Sequence, residues 1–303
     1  MIIFDTDLSL GTPRAEIDDG AALILLLRRL GNQVAAVTTT HGNHDLEPVL
    51  QNTARMLAYL DRPDIPLGRG AALPLLEDKA WFADWQAGYG ETPPWPLPEL
   101  PRAVDLIIDT VKQNPNEVTL VAVGPLTNLA LAARLAPEIV PLVRMVVTMG
   151  GSFNENDTEP EFNAHCDPEA AQIALNAGWP VRTIGLEITN QVMFGRAAFA
   201  ALPQGHPAVD LLRELAPGWI ERVEAQGWSA GGSALHDALA VAAVMDASLF
   251  SWQGAEVSVE LANKEQRGLT RYRPVPPEQA TIQVATAVAA TTIYDLIWEA
   301  LSE

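Results

Sequence analysis

Short apolar runs that end in polar residues alternate with segments of helical spacing along most of this 303-residue chain. The first run, Met1–Phe4, reads as a buried strand. Beyond it come Asp5, Asp7, a ten-residue stretch holding Gly11 and Pro13, and then Asp18 and Asp19 at the head of an apolar helix predicted over 18–30. Arg28, Arg29 and Gly31 supply that helix with a stop signal. The pattern predicts further strands over 33–40, 118–123, 144–149, 180–186, 255–261 and 280–287, and a short one over 65–67. Helices are predicted over 46–60 and 102–114, through Leu129–Leu135, around His236–Met245 and from residue 290 onward. Such alternation implies an α/β fold, a single domain over residues 1–303 with a mostly parallel open sheet flanked by helices.

Two segments break the alternation. Residues 70–101 carry Trp81, Phe82, Trp85, Tyr89 and Trp95 among many prolines, and so long a connection inside a domain reads as a functional lid or a loop packed on its own domain. Residues 207–230 are loosely helical, interrupted by Pro217 and followed by glycines.

The polar groups sit where the chemistry of an open sheet belongs. Asp5, Asp7, Asp18 and Asp19 converge at the C-terminal end of the first strand, the edge at which such sheets bind ligands. Carboxylates gathered there repel one another unless a cation sits among them. Calcium or magnesium suits oxygen ligands, and the segment has no thiol or imidazole for zinc. A single aspartate would be explained by a helix dipole or by solvation at a strand end; four in this arrangement are not. A second polar concentration lies between Asn154 and Asp167. There Asp167 and Pro168 read as an ordinary helix start, whereas Glu161 and Asn163, flanking Phe162, have no such explanation. His236 and Asp237 form a titratable pair at a helix N-terminus, readable equally as a cap beside a surface histidine. The turn Gly124–Asn128 after the 118–123 strand can present backbone groups to a ligand.

Composition narrows the ligand. Apolar residues make up 48% of the chain, and no apolar run is long enough to span a bilayer. A formal charge of −19 argues against a nucleic-acid partner and favours a neutral or cationic small molecule. One cysteine, Cys166, precludes an internal disulfide, and with no signal-peptide pattern the expected location is the cytoplasm.

Five landmarks stand in order: DTD with IDDGAALILLL, TTTHGN, VAVGPLTNLALAARL, MGGSF with EPEFNAHCDPEAA, and LHDALAVAAVMD. Together they resemble the inosine–uridine-preferring nucleoside hydrolases across residues 2 to about 290. The resemblance implies the nucleoside hydrolase fold with its Rossmann-like core, and hydrolysis of the N-glycosidic bond of ribonucleosides through an oxocarbenium-like transition state. It implies a calcium ion held by the side chains of Asp7, Asp19 and Asp237 and by the carbonyl of Val123. It makes Asp7 the base for a calcium-bound water, sets Asp18, Asn43, Asn156, Glu161 and Asn163 on the ribose, and leaves Asp5 to support the motif. His236 would serve the leaving base, and the chain would form a homodimer or homotetramer.

Two departures bear on the base. The family's aspartates are about four residues apart, whereas Asp7 and Asp18 are separated by an inserted stretch, Leu8–Ile17, expected to loop out and form part of the pocket rim. The segment 81–92 also lacks the histidine expected there, with Trp85, Gln86, Ala87 and Gly88 in its place. Two other readings share features with the chain. A haloacid-dehalogenase-like phosphatase also opens on a strand and DxD, but would need a lysine, and Lys112 lies in a helix centre. A calcium- or ribose-binding protein without turnover would not need both Asp7 and His236.

Overall fold

The apolar runs do pair with one another, and the order in which they pair fixes the site. A computed structural model describes residues 1–76, 80–154 and 156–303. Its strands are β1 (Ile2–Thr6), β2 (Val34–Thr39), β3 (Leu67–Gly68), β4 (Thr119–Ala122), β5 (Met145–Met149), β6 (Val181–Ile184), β7 (Met193–Gly195), β8 (Gly232–Ala234), β9 (Phe250–Val259), β10 (Thr270–Pro274) and β11 (Ile282–Val288). Nine of them form one sheet in the order β10-β9-β11-β6-β5-β4-β1-β2-β3. From β3 to β11 by way of β6 every neighbour is parallel; only β9 runs against β11 and β10. The segment 3-2-1-4-5-6 is the doubly wound order, in which the chain turns back beside β1. Asp5 lies level with Thr38 of β2 and Ala122 of β4, so the carboxylates after β1 emerge at that switch point.

β1 is buried along its whole length, as a central strand with both faces covered must be. One face packs the helices Asp18–Leu30, Leu46–Tyr59, Pro207–Ala225, His236–Met245 and Ala290–Ser302; the other packs Ala103–Gln113, Thr127–Leu135 and Pro168–Leu175. The helices Asp18–Leu30 and His236–Met245 lie against each other, and both begin at the C-terminal edge of the parallel strands.

The structure differs from the pattern at several elements, among them the separate two-stranded sheet of β7 and β8, which no apolar run predicts. β9 begins at Phe250, five residues earlier than its apolar run suggests, and β10 was not foreseen. The alternation of Thr270–Pro274 is masked by two arginines, half-buried Arg271 and exposed Arg273. The loosely patterned 207–230 region contains one unbroken helix, Pro207–Ala225, which keeps Pro217 inside it because both flanks are packed. Within 70–101, a short helix Phe82–Trp85 forms, and residues 77–79 lie outside the described residues. Among the described residues no helix is long and apolar enough to cross a membrane.

Candidate active site

The stretch Leu8–Ile17 does not loop out into solvent. Leu8, Leu10, Ala15 and Ile17 are buried in the core, and only Pro13 and Arg14 reach the surface. The helix Leu46–Tyr59 holds the stretch from beneath: the Asn52 amide donates to the Ser9 carbonyl at 3.2 Å and to the Thr12 hydroxyl at 3.0 Å. Folded in this way, the insertion returns Glu16 to the start of the helix Asp18–Leu30. Both oxygens of the Glu16 carboxylate accept from the Asp18 backbone N–H, at 2.8 and 2.9 Å.

Ligand oxygens of Glu16, Asp18, Asp19 and Asp237 all lie within 4.8 Å of one another, and all four residues are buried. Asp18, Asp19 and Asp237 occupy first turns of two helices, where the backbone dipoles favour negative charge. Asp19 accepts from the Thr6 hydroxyl and, at 3.2 Å, from the Asn43 amide. Asp7 lies beside the group. Its Oδ2 accepts from the Asn43 N–H at 2.6 Å, whereas its buried Oδ1 has no hydrogen-bond partner. Asp5 sits deeper, accepting from Thr38 at 2.5 Å and Asn128 at 2.8 Å, which ties β1, β2 and the helix Thr127–Leu135 together beneath the site.

Burial drives the titration of this cluster. It pushes Asp5 up to about 7 against the hydrogen bonds from Thr38 and Asn128. It also lifts Asp19 to about 7, aided by the charge of Asp18 and opposed by hydrogen bonds from Thr6 and Asn43. Asp7, Glu16 and Asp237 are raised well above ordinary carboxylates, first by burial and then by the charges of their acidic neighbours. Among the described residues, no Arg or Lys nitrogen lies within ion-pair distance of any of these acids. A buried acidic group without a cationic partner, with an unsatisfied oxygen on Asp7, fits a hard divalent cation.

The second polar concentration meets the first. Glu161 caps the helix Phe162–Cys166, accepting from the N–H groups of Asn163 and Ala164, and also from that of Gly151. The Asn163 amide donates to the Val123 carbonyl at 2.7 Å, which places it at the end of β4 next to β1. Asn43, Glu161 and Asn163 thus join the aspartates. Asn156 does not: it stands exposed in a turn. Asp167 caps its helix as expected and also accepts from Thr127 at 2.7 Å. His236 is half-buried, with Nδ1 2.7 Å from the Thr189 hydroxyl. Burial lowers its pKa, against the charge of Asp18.

The aromatic segment covers these groups. Trp85 packs on Phe162 at 4.2 Å and stacks on Trp228 at 5.3 Å. Gly90 donates to the Pro13 carbonyl at 2.9 Å, and Thr92 meets Thr12 at 2.6 Å, so the segment docks on the inserted stretch. Tyr89 is close enough for the charges of Glu16 and Asp7 to act on its hydroxyl, whose pKa burial pushes upward. Arg222 clamps the segment by donating to the carbonyls of Ala87 and Trp85. Glu16 and Arg222 are the residues that sequence reasoning missed. An acid two positions before the Asp18–Asp19 pair was the only available signal for Glu16, and nothing local marked Arg222.

The model of the family described as inosine-uridine preferring nucleoside hydrolase matches residues 2–295. A pyrimidine-specific ribonucleoside hydrolase, RihA, of Salmonella arizonae is 35% identical over 264 residues, covering 84% of each chain. Among solved structures, a purine-preferring ribonucleoside hydrolase from Gardnerella vaginalis superimposes with a TM-score of 0.84 at 27% identity, covering 99% of this chain and 98% of its own. A plant nucleoside hydrolase, PpNRh1, gives a TM-score of 0.81 at 26% identity with the same coverage.

Proposed function

The chain belongs to the inosine-uridine preferring nucleoside hydrolase family, and on that premise we propose that it hydrolyses the N-glycosidic bond of ribonucleosides to free base and ribose. The observation that carries the reading is the buried acidic group at the end of β1, which among the described residues has no cationic side chain within ion-pair distance. Asp7, Asp19 and Asp237, with the carbonyl of Val123, would hold a divalent cation, calcium by the chemistry of the oxygen donors. When bound, that cation supplies Lewis-acid polarisation of the oxygens around it. Asp7 takes the proton of the attacking water, and its unpartnered Oδ1 supports that role. Asp18, Asn43, Glu161 and Asn163 orient the ribose. The surrounding carboxylates stabilise positive charge developing on the sugar in an oxocarbenium-like transition state. The lowered pKa of His236 keeps its ring neutral near pH 7, so it serves the leaving base as an N–H donor. In the tautomer whose Nδ1 accepts from the Thr189 hydroxyl, Nε2 would carry that proton.

The Lys112 that a phosphatase reading would use pairs instead with Glu138 at the surface, at 2.7 Å. Incubation with inosine, uridine, deoxyinosine and p-nitrophenyl phosphate tests the proposal. Release of ribose from the ribonucleosides, with little turnover of the deoxynucleoside and no release of phosphate, is the expected result. Equal turnover of inosine and deoxyinosine would remove the ribose and cation assignment, and phosphate release would overturn the reading altogether.

A further inference from the structure

We propose that Glu16, delivered by the inserted stretch Leu8–Ile17, is an additional carboxylate ligand of the divalent cation. This inference rests on the cation site of the proposed function and extends it to a residue specific to the insertion. Glu16 is 6% exposed, and its carboxylate shares a 4.8 Å group with those of Asp18, Asp19 and Asp237. A helix-capping role accounts for the hydrogen bonds to the Asp18 N–H, yet it uses one lone pair on each oxygen and leaves the others free.

Nor is the charge of Glu16 explained by capping. The nearby guanidinium groups are committed elsewhere: Arg55 to the carbonyls of Gly11 and Pro93, Arg222 to those of Ala87 and Trp85, and Arg14 toward Glu221. A neutral acceptor such as glutamine or serine would cap the helix without adding repulsion to Asp18 and Asp19. A second feature points to a cation beside this group. Asp7 Oδ1 is buried and unpartnered, and Asn43 joins Asp7 to Asp19 by hydrogen bonds to both carboxylates. Calcium accepts six to eight oxygens, and the number of charged ligands tunes its affinity. The insertion therefore makes the site more anionic than a compact aspartate motif does.

The experiment uses the full chain stripped with a chelator and loaded with europium(III), a luminescent stand-in for calcium. Luminescence lifetimes in H2O and D2O count the waters on the ion, and calcium competition gives the affinity. Glu16→Ala should add at least one coordinated water and weaken calcium binding by about tenfold or more. Glu16→Gln preserves the acceptor for the Asp18 N–H, so it should fold with unchanged circular dichroism and still bind calcium more weakly than the wild type. A weaker affinity with an unchanged water count would mean that Glu16 acts by charge alone and is not a ligand. Unchanged affinity and water count in both variants would likewise overturn the assignment while leaving the cation site intact. If the wild-type protein bound neither ion, the cation reading itself would fall together with this one.

Discussion

Gly42 makes the closest approach in the site. A Cβ there would overlap Asp7 Oδ2, and its φ of +154° lies in the region that glycine alone enters freely. Gly42→Ala should displace Asp7 from the Asn43 N–H and lower calcium affinity by about tenfold or more, measured by calorimetry. Wild-type affinity in that variant would mean that Asp7 is not held where the site requires it. His236 makes a different kind of test, because its role depends on the leaving group. General acid or donor assistance is worth about 10²–10⁴-fold. His236→Ala should slow inosine hydrolysis within that range and leave p-nitrophenyl riboside nearly unaffected, since nitrophenolate needs no proton. Thr189→Val, which removes the hydroxyl beside Nδ1, should show the same selectivity more weakly. Equal slowing of both substrates would instead assign His236 to the support of Asp237.

At the scale of elements, the site is assembled by two helix starts and covered by one aromatic segment. Asp7 and Asp19 have no exposed surface, whereas Asp18, Asn43 and Asn163 keep 4–8% and His236 is half-buried. The cover is fastened mainly from the helix Pro207–Ala225, through Arg222, whose guanidinium also lies 4.9 Å from the Tyr89 ring centroid. Arg222→Ala removes charge-assisted hydrogen bonds to two carbonyls and should cost about 2–3 kcal/mol of stability. Limited proteolysis should cut the variant faster within residues 81–95 than the wild-type protein. Unchanged cleavage would show that the stacking of Trp85 on Trp228 and Phe162 holds the cover by itself.

For the whole molecule, the consequence is a linkage between cation, pH and stability. Burial holds Asp5 and Asp19 near 7 in the folded protein, against an ordinary value of 3.8, and Asp7, Glu16 and Asp237 are raised as well. In the window between those values the folded protein holds protons that the unfolded chain has released. Without cation, the contribution of this cluster to stability should therefore be fully present below about pH 4 and be lost progressively as pH rises through about 7. Saturating calcium favours the ionised carboxylates and binds only the folded state, so it should flatten or reverse that slope. Scanning calorimetry in chelator and in calcium at about pH 5 and about pH 8 measures both effects. A melting temperature in chelator that rises with pH across this window would contradict the buried acidic cluster.

The order of strands and helices was legible in the sequence because burial on both faces writes itself as apolar runs, and caps and stop signals mark their ends. The same logic exposed the aspartates after β1, the Glu161 and Asn163 pair and the His236–Asp237 helix start, since polar residues at strand and helix ends stand out against apolar neighbours. β10 was hidden because Arg271 and Arg273 break its alternation at the sheet edge. Long-range packing was not written anywhere locally. Only the contact between the helices Asp18–Leu30 and His236–Met245 sets Asp237 against Asp18 and Asp19. Only the docking of Leu8–Ile17 on Asn52 and Arg55 folds the insertion inward and returns Glu16 to the acidic group. Residue types and their neighbours determined the menu of elements and the candidate acids. The tertiary structure decided which acids meet, because the path of an irregular segment depends on partners that lie far away in the chain.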